Sequence, residues 1–207
     1  MFYLVRSPRW LRRFFPGRIW DLPAKEKVIY LSFDDGPEPE VTSFVLDELA
    51  RFGAKATFFC IGKNCVAHPE LYERIIKDGH GVGNHSFDHV NGWKTKDEAY
   101  IENILQAQQH ISSPLFRPPY GKLRNRQLRK LSQHGFTTVM WSVLSGDFDQ
   151  KISPQKCLDN VINNAENGAI VVFHDSRKAN EKMRYALPLV LAHFQQEGYR
   201  FDKISIG

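Results

Sequence analysis

The chain of 207 residues lacks any apolar run that approaches the roughly 20 residues of a membrane-spanning helix. It has only three cysteines, Cys60, Cys65 and Cys157, and none of them belongs to a Cys-x-x-Cys arrangement. Three thiols cannot all pair with one another, which argues against a disulfide framework or a thiolate zinc site and predicts buried or free thiols. Internal repeats and low-complexity segments are also absent, so the chain is expected to form one ordinary globular domain.

Acidic residues are missing from the first twenty positions, and the first one is Asp21. Five arginines alternate there with aromatic and aliphatic residues, a mixture that can lie on an anionic membrane surface. The segment lacks the apolar core and the small-residue cleavage site of a secretory signal. Two interpretations stay open: residues 1–20 contact a membrane peripherally, or they pack across the fold as a cover. The residues concerned are Arg6, Arg9, Arg12, Arg13 and Arg18, with Phe2, Tyr3, Leu4, Trp10, Leu11, Phe14 and Phe15.

The overall charge is modestly positive, with 28 basic against 23 acidic residues. This balance fits attraction to acidic glycans or lipids. No recognised nucleic-acid-binding motif surrounds the charge, so no nucleic-acid partner is predicted. Without a signal peptide or a membrane span, the protein is expected to be cytoplasmic or peripherally membrane-associated. The sequence carries no signal for an oligomeric state.

Strand and helix signals alternate along the chain, which predicts an α/β fold with a mainly parallel sheet. A hydrophobic content of 42% is sufficient for one core. The motifs described below all lie where a predicted strand meets a turn. Strands are predicted at 28–33, 57–61, 137–141, 169–173 and 199–203, and helices at 39–52, 69–77, 96–111, 125–134, 154–164 and 180–196.

The apolar run at residues 28–33 ends in two adjacent carboxylates, Asp34 and Asp35, and then Gly36-Pro37. Adjacent carboxylates repel each other, so a site that keeps both ionised usually supplies a cation or a strong hydrogen-bond donor. A sharp turn lets both side chains converge on one pocket, where one can bind a metal and the other can transfer protons. The same residues also suit an ordinary polar turn, an alternative that this motif alone leaves open.

His85 and His89 stand four residues apart, a spacing that a helical turn brings onto one face. Imidazole is the commonest nitrogen ligand for zinc and its first-row neighbours. Two histidines and one carboxylate make an open site that leaves positions for water and substrate, as a catalytic metal requires. The alternative of two solvated loop histidines weakens once the other motifs are read with this pair.

Two further segments carry rigid or ionisable groups. Residues 117–121 combine the guanidinium of Arg117 with two prolines and a glycine, a composition suited to holding backbone groups near a ligand. The amides of this segment could donate to an oxyanion. Residues 169–173 form an apolar run that ends in His174-Asp175, at the end of a strand where α/β folds place their chemistry.

Taken in order, four segments resemble the motifs of polysaccharide deacetylases with a NodB homology domain, which form carbohydrate esterase family 4. The segments are Ser32–Pro37, His85–His89, Arg117–Gly121 and Phe173-His174. The resemblance implies a distorted (β/α) barrel at residues 27–207, preceded by a basic and aromatic extension at residues 1–26. It also implies an enzyme that removes N-acetyl groups from N-acetylated sugars of a polysaccharide or glycoconjugate. Similar proteins often act outside the cytoplasm, which conflicts with the missing secretory signal.

The resemblance implies a divalent metal ion bound by Asp35, His85 and His89. Zinc is the first expectation, and cobalt, nickel and manganese also suit two imidazoles and a carboxylate. The substrate would be an N-acetylated glycan.

The resemblance also implies the groups that would carry the reaction. Asp34 would be the catalytic base, and Arg117 would orient it. His174 would be the catalytic acid, and Asp147 would pair with it and raise its pKa. The backbone N–H of Tyr120 would help to hold the oxyanion.

One motif departs from the family pattern. The family usually carries Asp-x-x-Asp-Trp where this chain has Leu144 in place of the first Asp and Phe148 in place of the Trp. Asp147 keeps the second Asp, so the acid role of His174 is intact while the wall of the substrate groove is altered. The altered wall keeps open a small non-sugar amide or imide as substrate. A catalytically silent glycan-binding module is a further alternative, although complete ligand, base and acid positions favour the enzyme.

Overall fold

The computed structural model describes residues 3–206, so Met1 and Phe2 of the extension and Gly207 lie outside it. The strands are β1 (Arg18–Ile19), β2 (Val28–Asp34), β3 (Ala56–Cys60), β4 (Gly81–Asn84), β5 (Leu115–Phe116), β6 (Thr137–Val139), β7 (Val143–Leu144), β8 (Ile170–His174) and β9 (Arg200–Phe201). The α-helices are α1 (Arg9–Arg12), α2 (Pro39–Arg51), α3 (Gly62–Ala67), α4 (Pro69–Lys77), α5 (Asp97–Gln108), α6 (Asn125–Gln133), α7 (Pro154–Ile162) and α8 (Asn180–Gln196), and Pro119–Gly121 form a 3-10 turn.

The strands form one sheet in the order β1-β6-β5-β4-β3-β2-β8-β7, with β9 attached to β2 and each of these ladders parallel. β6 and β7 lie near opposite ends of this order, yet only residues 140–142 separate them along the chain. The sheet must therefore curl until its ends approach each other. The result is a half-barrel surrounded by helices in a single domain, which confirms the predicted distorted (β/α) barrel.

The centre of the sheet is apolar because parallel strands are covered on both faces. Phe33 of β2 stacks between Phe58 of β3 and Phe173 of β8, at ring-centroid distances of 5.1 and 6.1 Å. The turn after β2 leads directly into α2, where Pro39 occupies the first turn and the Glu38 carboxylate accepts two backbone N–H groups. This packing fixes the carboxyl end of β2 in the middle of the sheet.

The longer predicted elements form close to their predicted bounds, and the helices at 69–77 and 180–196 form as predicted. Six further elements are not among those predicted from the sequence: β1, β4, β5, β7, α1 and α3. Four of these are strands of two to four residues, too short for a pattern of alternation, and β4 contains two glycines. The three cysteines are buried free thiols, as predicted.

The amino-terminal segment lies against the sheet. Arg18 of β1 pairs with Thr138 of β6, and Arg6 forms an antiparallel bridge with Val143 of β7. One segment thus contacts strands near both ends of the sheet order, which favours the interpretation as a cover. The division at residue 26 remains a prediction. Across residues 3–206 we find no helix with the length and apolarity needed to cross a membrane.

Candidate metal centre and active site

The motif residues lie where adjacent strands end. Asp34 is the last residue of β2 and stands in register with His174, the last residue of β8. On the other side, β3 lies between β2 and β4, and His85 directly follows β4. Motifs that are far apart in the sequence therefore meet at the carboxyl ends of neighbouring parallel strands, as expected for α/β folds.

Asp35, His85 and His89 form a cluster that could hold a metal ion. One potential ligand atom from each residue lies within 4.8 Å of the others. His89 Nε2 is 3.1 Å from Asp35 Oδ1, and His85 Nε2 is 3.7 Å from the same oxygen. The structure thus brings together the three residues that the sequence analysis named as ligands.

The histidines do not converge through a helical turn, so that expectation is wrong. They lie in the loop after β4, where Ser86 and His89 have φ angles of 63° and 57°. Asp35 and Tyr120 have φ angles of 84° and 60°. These four are the only non-glycine residues with positive φ among residues 3–206. Since such conformations are unfavourable for side-chain-bearing residues, backbone strain is concentrated at this site.

The segment at residues 117–121 orients both histidine rings. His85 Nδ1 is 2.8 Å from the carbonyl oxygen of Arg117, and His89 Nδ1 is 3.1 Å from the hydroxyl of Tyr120. The rings of His89 and Tyr120 also pack together, with centroids 4.6 Å apart. These contacts leave Nε2 of each histidine facing Asp35. Metal-binding imidazoles are usually oriented in this way, by a hydrogen bond at the ring nitrogen that does not face the metal.

The protonation states of the cluster suit a cation. Burial lowers the pKa of His85 to about 4, so its ring is neutral near pH 7 and Nε2 keeps its lone pair. Burial alone would raise the pKa of Asp35, but a hydrogen bond from His89 and the charges of His174 and His85 lower it well below its usual range. Metal ligands must be deprotonated, and His85 and Asp35 fulfil that requirement.

Asp34 is held by a buried arginine. Arg117 Nη1 donates to Asp34 Oδ1 at 2.6 Å and to Ser32 Oγ at 2.8 Å, and the whole Arg117 side chain is 0% exposed. The remaining guanidinium nitrogens donate to the carbonyl oxygens of Val139 and Met140. Burial lowers the pKa of Arg117, although Asp34 opposes that effect. The hydrogen bond from Arg117 fixes the orientation of the Asp34 carboxylate.

His174 lies on the opposite side and is paired with Asp147. Its Nδ1 is 2.7 Å from Asp147 Oδ1, and its backbone N–H donates to Asp147 Oδ2 at 2.7 Å. Burial would lower the pKa of His174, but the charge and the hydrogen bond of Asp147 outweigh burial and raise it to about 10. An imidazolium near pH 7 is a proton donor.

The motif at residues 144–148, which departs from the family pattern, keeps part of the expected structure. Phe148 keeps an aromatic ring against His174, with centroids 5.2 Å apart. Tyr3 of the amino-terminal segment packs on the same Phe148 ring, also at 5.2 Å. Leu144 is 6% exposed and belongs to β7. The groove wall beside His174 therefore remains aromatic.

Sequence reasoning missed the supports behind the carboxylates. Asp175 is 1% exposed, and it accepts hydrogen bonds from the Gly36 N–H at 3.0 Å and the Thr42 hydroxyl at 2.6 Å. Asn64 donates to the Asp35 carbonyl oxygen at 2.8 Å. Burial raises the pKa of Asp175 to about 8, against the hydrogen bond of Thr42. The position of Asp175 after His174 signalled an ionisable cluster, but its part in holding the turn needed the tertiary structure.

A half-barrel with ionisable groups of this kind at the ends of its strands is the arrangement of an α/β-barrel enzyme. The family profile described as polysaccharide deacetylase matches residues 21–139, which is more than half of the chain. The chain belongs to the polysaccharide deacetylase family.

Individual relatives agree with this assignment. The chain is 34% identical over 192 residues to a peptidoglycan-N-acetylglucosamine deacetylase of Bacillus cereus, covering 90% of both proteins. It is 33% identical to a chitooligosaccharide deacetylase of Azorhizobium caulinodans, covering 80% of this chain and 81% of that protein. The crystal structure of the Bc1960 peptidoglycan N-acetylglucosamine deacetylase superposes with a TM-score of 0.87 at 27% identity, covering 96% of this chain and 95% of that one.

Proposed function

We propose that this protein is a metal-dependent hydrolase that removes N-acetyl groups from N-acetylated sugars of a polysaccharide or glycoconjugate. The observation that carries the proposal is the convergence of Asp35, His85 and His89 within 4.8 Å, at the strand ends that also present Asp34 and His174. The peptidoglycan and chitooligosaccharide deacetylases among its relatives support the reaction type. We propose a glycan as the substrate because these relatives act on glycans.

The proposed ligands of the metal are Asp35, His85 and His89. Two imidazoles and one carboxylate suit zinc best, with cobalt, nickel and manganese as further candidates. When bound, a divalent metal acts as a Lewis acid that polarises the amide carbonyl and lowers the pKa of water. The protein's part is to keep the three ligands in place through the hydrogen bonds to both imidazoles, and to keep His85 neutral through its burial.

The proposed base is Asp34. The Arg117 guanidinium holds one carboxylate oxygen of Asp34 by the 2.6 Å contact and leaves the other, Oδ2, outside it. That oxygen can accept a proton from the attacking water. General-base help of this kind is worth roughly 10² to 10⁴ in rate.

The proposed acid is His174. An amine leaves readily only when it is protonated, and Asp147 holds the imidazole in its cationic form. Because Nδ1 is engaged by Asp147, the proton available to the leaving amine is that on Nε2. We propose that the backbone N–H of Tyr120 donates to the oxyanion, at a turn whose φ of 60° is already strained.

Acetate release from N-acetylglucosamine oligomers tests the proposal. The purified protein is stripped of metal and assayed before and after addition of Zn²⁺ or Co²⁺, with Asp34→Asn as the inactive control. We expect release that depends on metal and falls by a factor of roughly 10² or more in the variant. A parallel panel of small amides and imides tests the alternative substrate class.

Metal binding is measured separately by thermal unfolding. A ligand present at 100 times its Kd stabilises the folded state by about 2.7 kcal/mol, which raises Tm by roughly 5–10 °C in a protein of this size. His89→Ala should abolish this rise, whereas His134→Ala, at the exposed end of α6, should leave it intact. Metal binding without release from any sugar or amide would support the silent glycan-binding module instead.

A further inference from the structure

Beside the proposed metal site lies an exposed tryptophan that the proposed chemistry does not use. Trp93 is 57% exposed and follows His89 by four residues, in the connection between β4 and α5. A large apolar side chain held in solvent contributes little to folding, and tryptophan is a residue type enriched at interfaces, because its ring is apolar and its N–H can bind a polar partner.

The backbone around Trp93 is held rigidly. The Trp93 N–H donates to Asn91 Oδ1 at 2.9 Å, and the Trp93 carbonyl oxygen accepts a hydrogen bond from Arg124. Gln127 of α6 donates to the Gly92 carbonyl oxygen at 2.8 Å. The indole is therefore presented from a fixed loop, which reduces the entropy that a ligand must remove on binding.

A lysine lies directly on the indole ring. Lys122 Nζ is 4.0 Å from the centroid of the Trp93 ring. Across residues 3–206, Lys122 forms no ion pair with any acidic side chain, and the indole N–H has no hydrogen-bond partner. The pair thus offers an apolar aromatic surface, a cation and a free donor at one place. A pyranose ring that carries a carboxylate matches all three groups.

This pair is close to the reacting centre. Lys122 follows Tyr120 by two residues, and the Tyr120 hydroxyl lies 3.1 Å from His89 Nδ1. The two loops touch, because a Cβ at Gly92 would come within 2.4 Å of the Lys122 carbonyl oxygen. The surrounding charge is mainly positive: Lys94 and Lys96 are exposed, and Asp97 is shared by Arg124 and Arg126.

We propose that Trp93 and Lys122 form an additional saccharide subsite, which binds a carboxylate-bearing sugar next to the N-acetylated sugar held at the metal. The proposal rests on the proposed deacetylase function and specifies its substrate class as acidic rather than neutral glycans. Trp93 stacks on the sugar ring, and Lys122 pairs with its carboxylate.

The test compares two saccharides of equal length, a neutral N-acetylglucosamine tetramer and a muramic-acid-containing tetramer. Affinity is measured by calorimetry on the metal-loaded Asp34→Asn protein, and kcat and KM are measured on the active protein. Trp93→Ala should raise KM about tenfold for both tetramers with little change in kcat, since aromatic contacts contribute up to about 1.5 kcal/mol. Trp93→Phe should recover most of this loss. Lys122→Gln should lower the preference for the acidic tetramer about three- to fivefold, as expected for one exposed ion pair.

Lys77→Gln, at the exposed end of α4, is the matched control and should change neither affinity nor preference. Equal losses for acidic and neutral tetramers in Lys122→Gln would overturn the carboxylate assignment. Unchanged affinity for both tetramers in Trp93→Ala would overturn the subsite. A Trp93→Ala protein that binds both tetramers normally but no longer binds anionic vesicles would also overturn it. The protein could release no acetate and still bind the tetramers in a way that these variants weaken. That result would support the subsite and contradict the deacetylase proposal.

Discussion

At the scale of the residue, the site depends on two pairs that each join a carboxylate to a basic side chain. Arg117 donates to the Asp34 carboxylate and fixes its orientation, and Asp147 keeps the His174 imidazole protonated. One side of the site thus presents an oriented carboxylate and the other a cationic imidazole. This separation is the usual mark of a base and an acid that work in one reaction.

His174→Ala should lower kcat by roughly 10² to 10⁴, because the leaving amine loses its proton donor. Metal affinity, measured by titration with Zn²⁺, should change far less. Equal losses of turnover and metal binding would reassign His174 as a ligand.

Asp147→Asn should shift the pH dependence of the protein. The pKa of His174 is raised to about 10 in the folded state, so its pairing stabilises the metal-free protein fully below pH 6.5, and this contribution disappears as the pH rises through about 10. The difference in unfolding free energy between wild type and Asp147→Asn should therefore be largest at low pH and shrink towards pH 10. Activity in the variant should fall at a lower pH than in wild type. A pH-independent difference would contradict the assignment.

Arg117→Ala should destabilise the protein by about 3–5 kcal/mol, because it leaves the buried carboxylate of Asp34 without its partner. Urea denaturation measures this loss. Arg200→Ala is the matched control: Arg200 pairs with Glu26 and Asp202 on the surface, where its side chain is 53% exposed, so the expected loss is at most about 1 kcal/mol. Similar losses in the two variants would contradict a stabilising buried ion pair between Arg117 and Asp34.

At the scale of the element, the turn between β2 and α2 decides where both carboxylates point. Asp175, just beyond β8, receives the Gly36 N–H and donates its own N–H to the Asp34 carbonyl oxygen at 3.0 Å. Two adjacent strands are thereby joined at the site. The chemistry is spread over loops, but strand ends set the positions of those loops.

Gly36→Ala should weaken metal binding by a factor of roughly 10 to 100, a typical effect of displacing the supports of ligands. A Cβ at Gly36 would lie 1.9 Å from Asp175 Oδ2, so the turn must shift and carry Asp35 with it. Isothermal titration with Zn²⁺ measures the change. Gly53→Ala introduces strain at a φ of 59° with nothing within 4 Å, and should leave metal affinity unaltered. Matching affinities in both variants would refute the role of the turn.

At the scale of the whole molecule, the amino-terminal segment both covers the barrel and presents apolar side chains to solvent. Trp10 and Phe14 are 65% and 71% exposed, and their rings lie 6.4 Å apart. Arg12 pairs with Asp21, which removes one cation from the surface. Residues 1–20 therefore remain our candidate for contact with an anionic membrane.

The double variant Trp10→Ala/Phe14→Ala should lose binding to vesicles that contain anionic lipid, while its unfolding midpoint stays near that of wild type. Deletion of residues 1–18 is a poorer test, since Arg18 pairs with Thr138 of the sheet. Val66→Ala/Ile76→Ala removes two exposed apolar side chains elsewhere and is the control. If the Trp10→Ala/Phe14→Ala variant binds these vesicles as well as wild type does, the membrane interpretation is wrong.

The sequence by itself determined the longer strands and helices and predicted which motif residues lie together at the strand ends, because apolar runs and motif spacing are properties of the chain alone. Elements of two to four residues escaped it, since neighbours in the sheet rather than local preference hold strands such as β5 and β7. Only the tertiary structure decided how His85 and His89 meet, because the strained loop after β4 depends on contacts with residues 117–121. It alone also revealed Asp175 as the support of the turn and Trp93 with Lys122 as neighbours of the site. Such contacts join residues far apart along the chain, and no local pattern in the sequence encodes them.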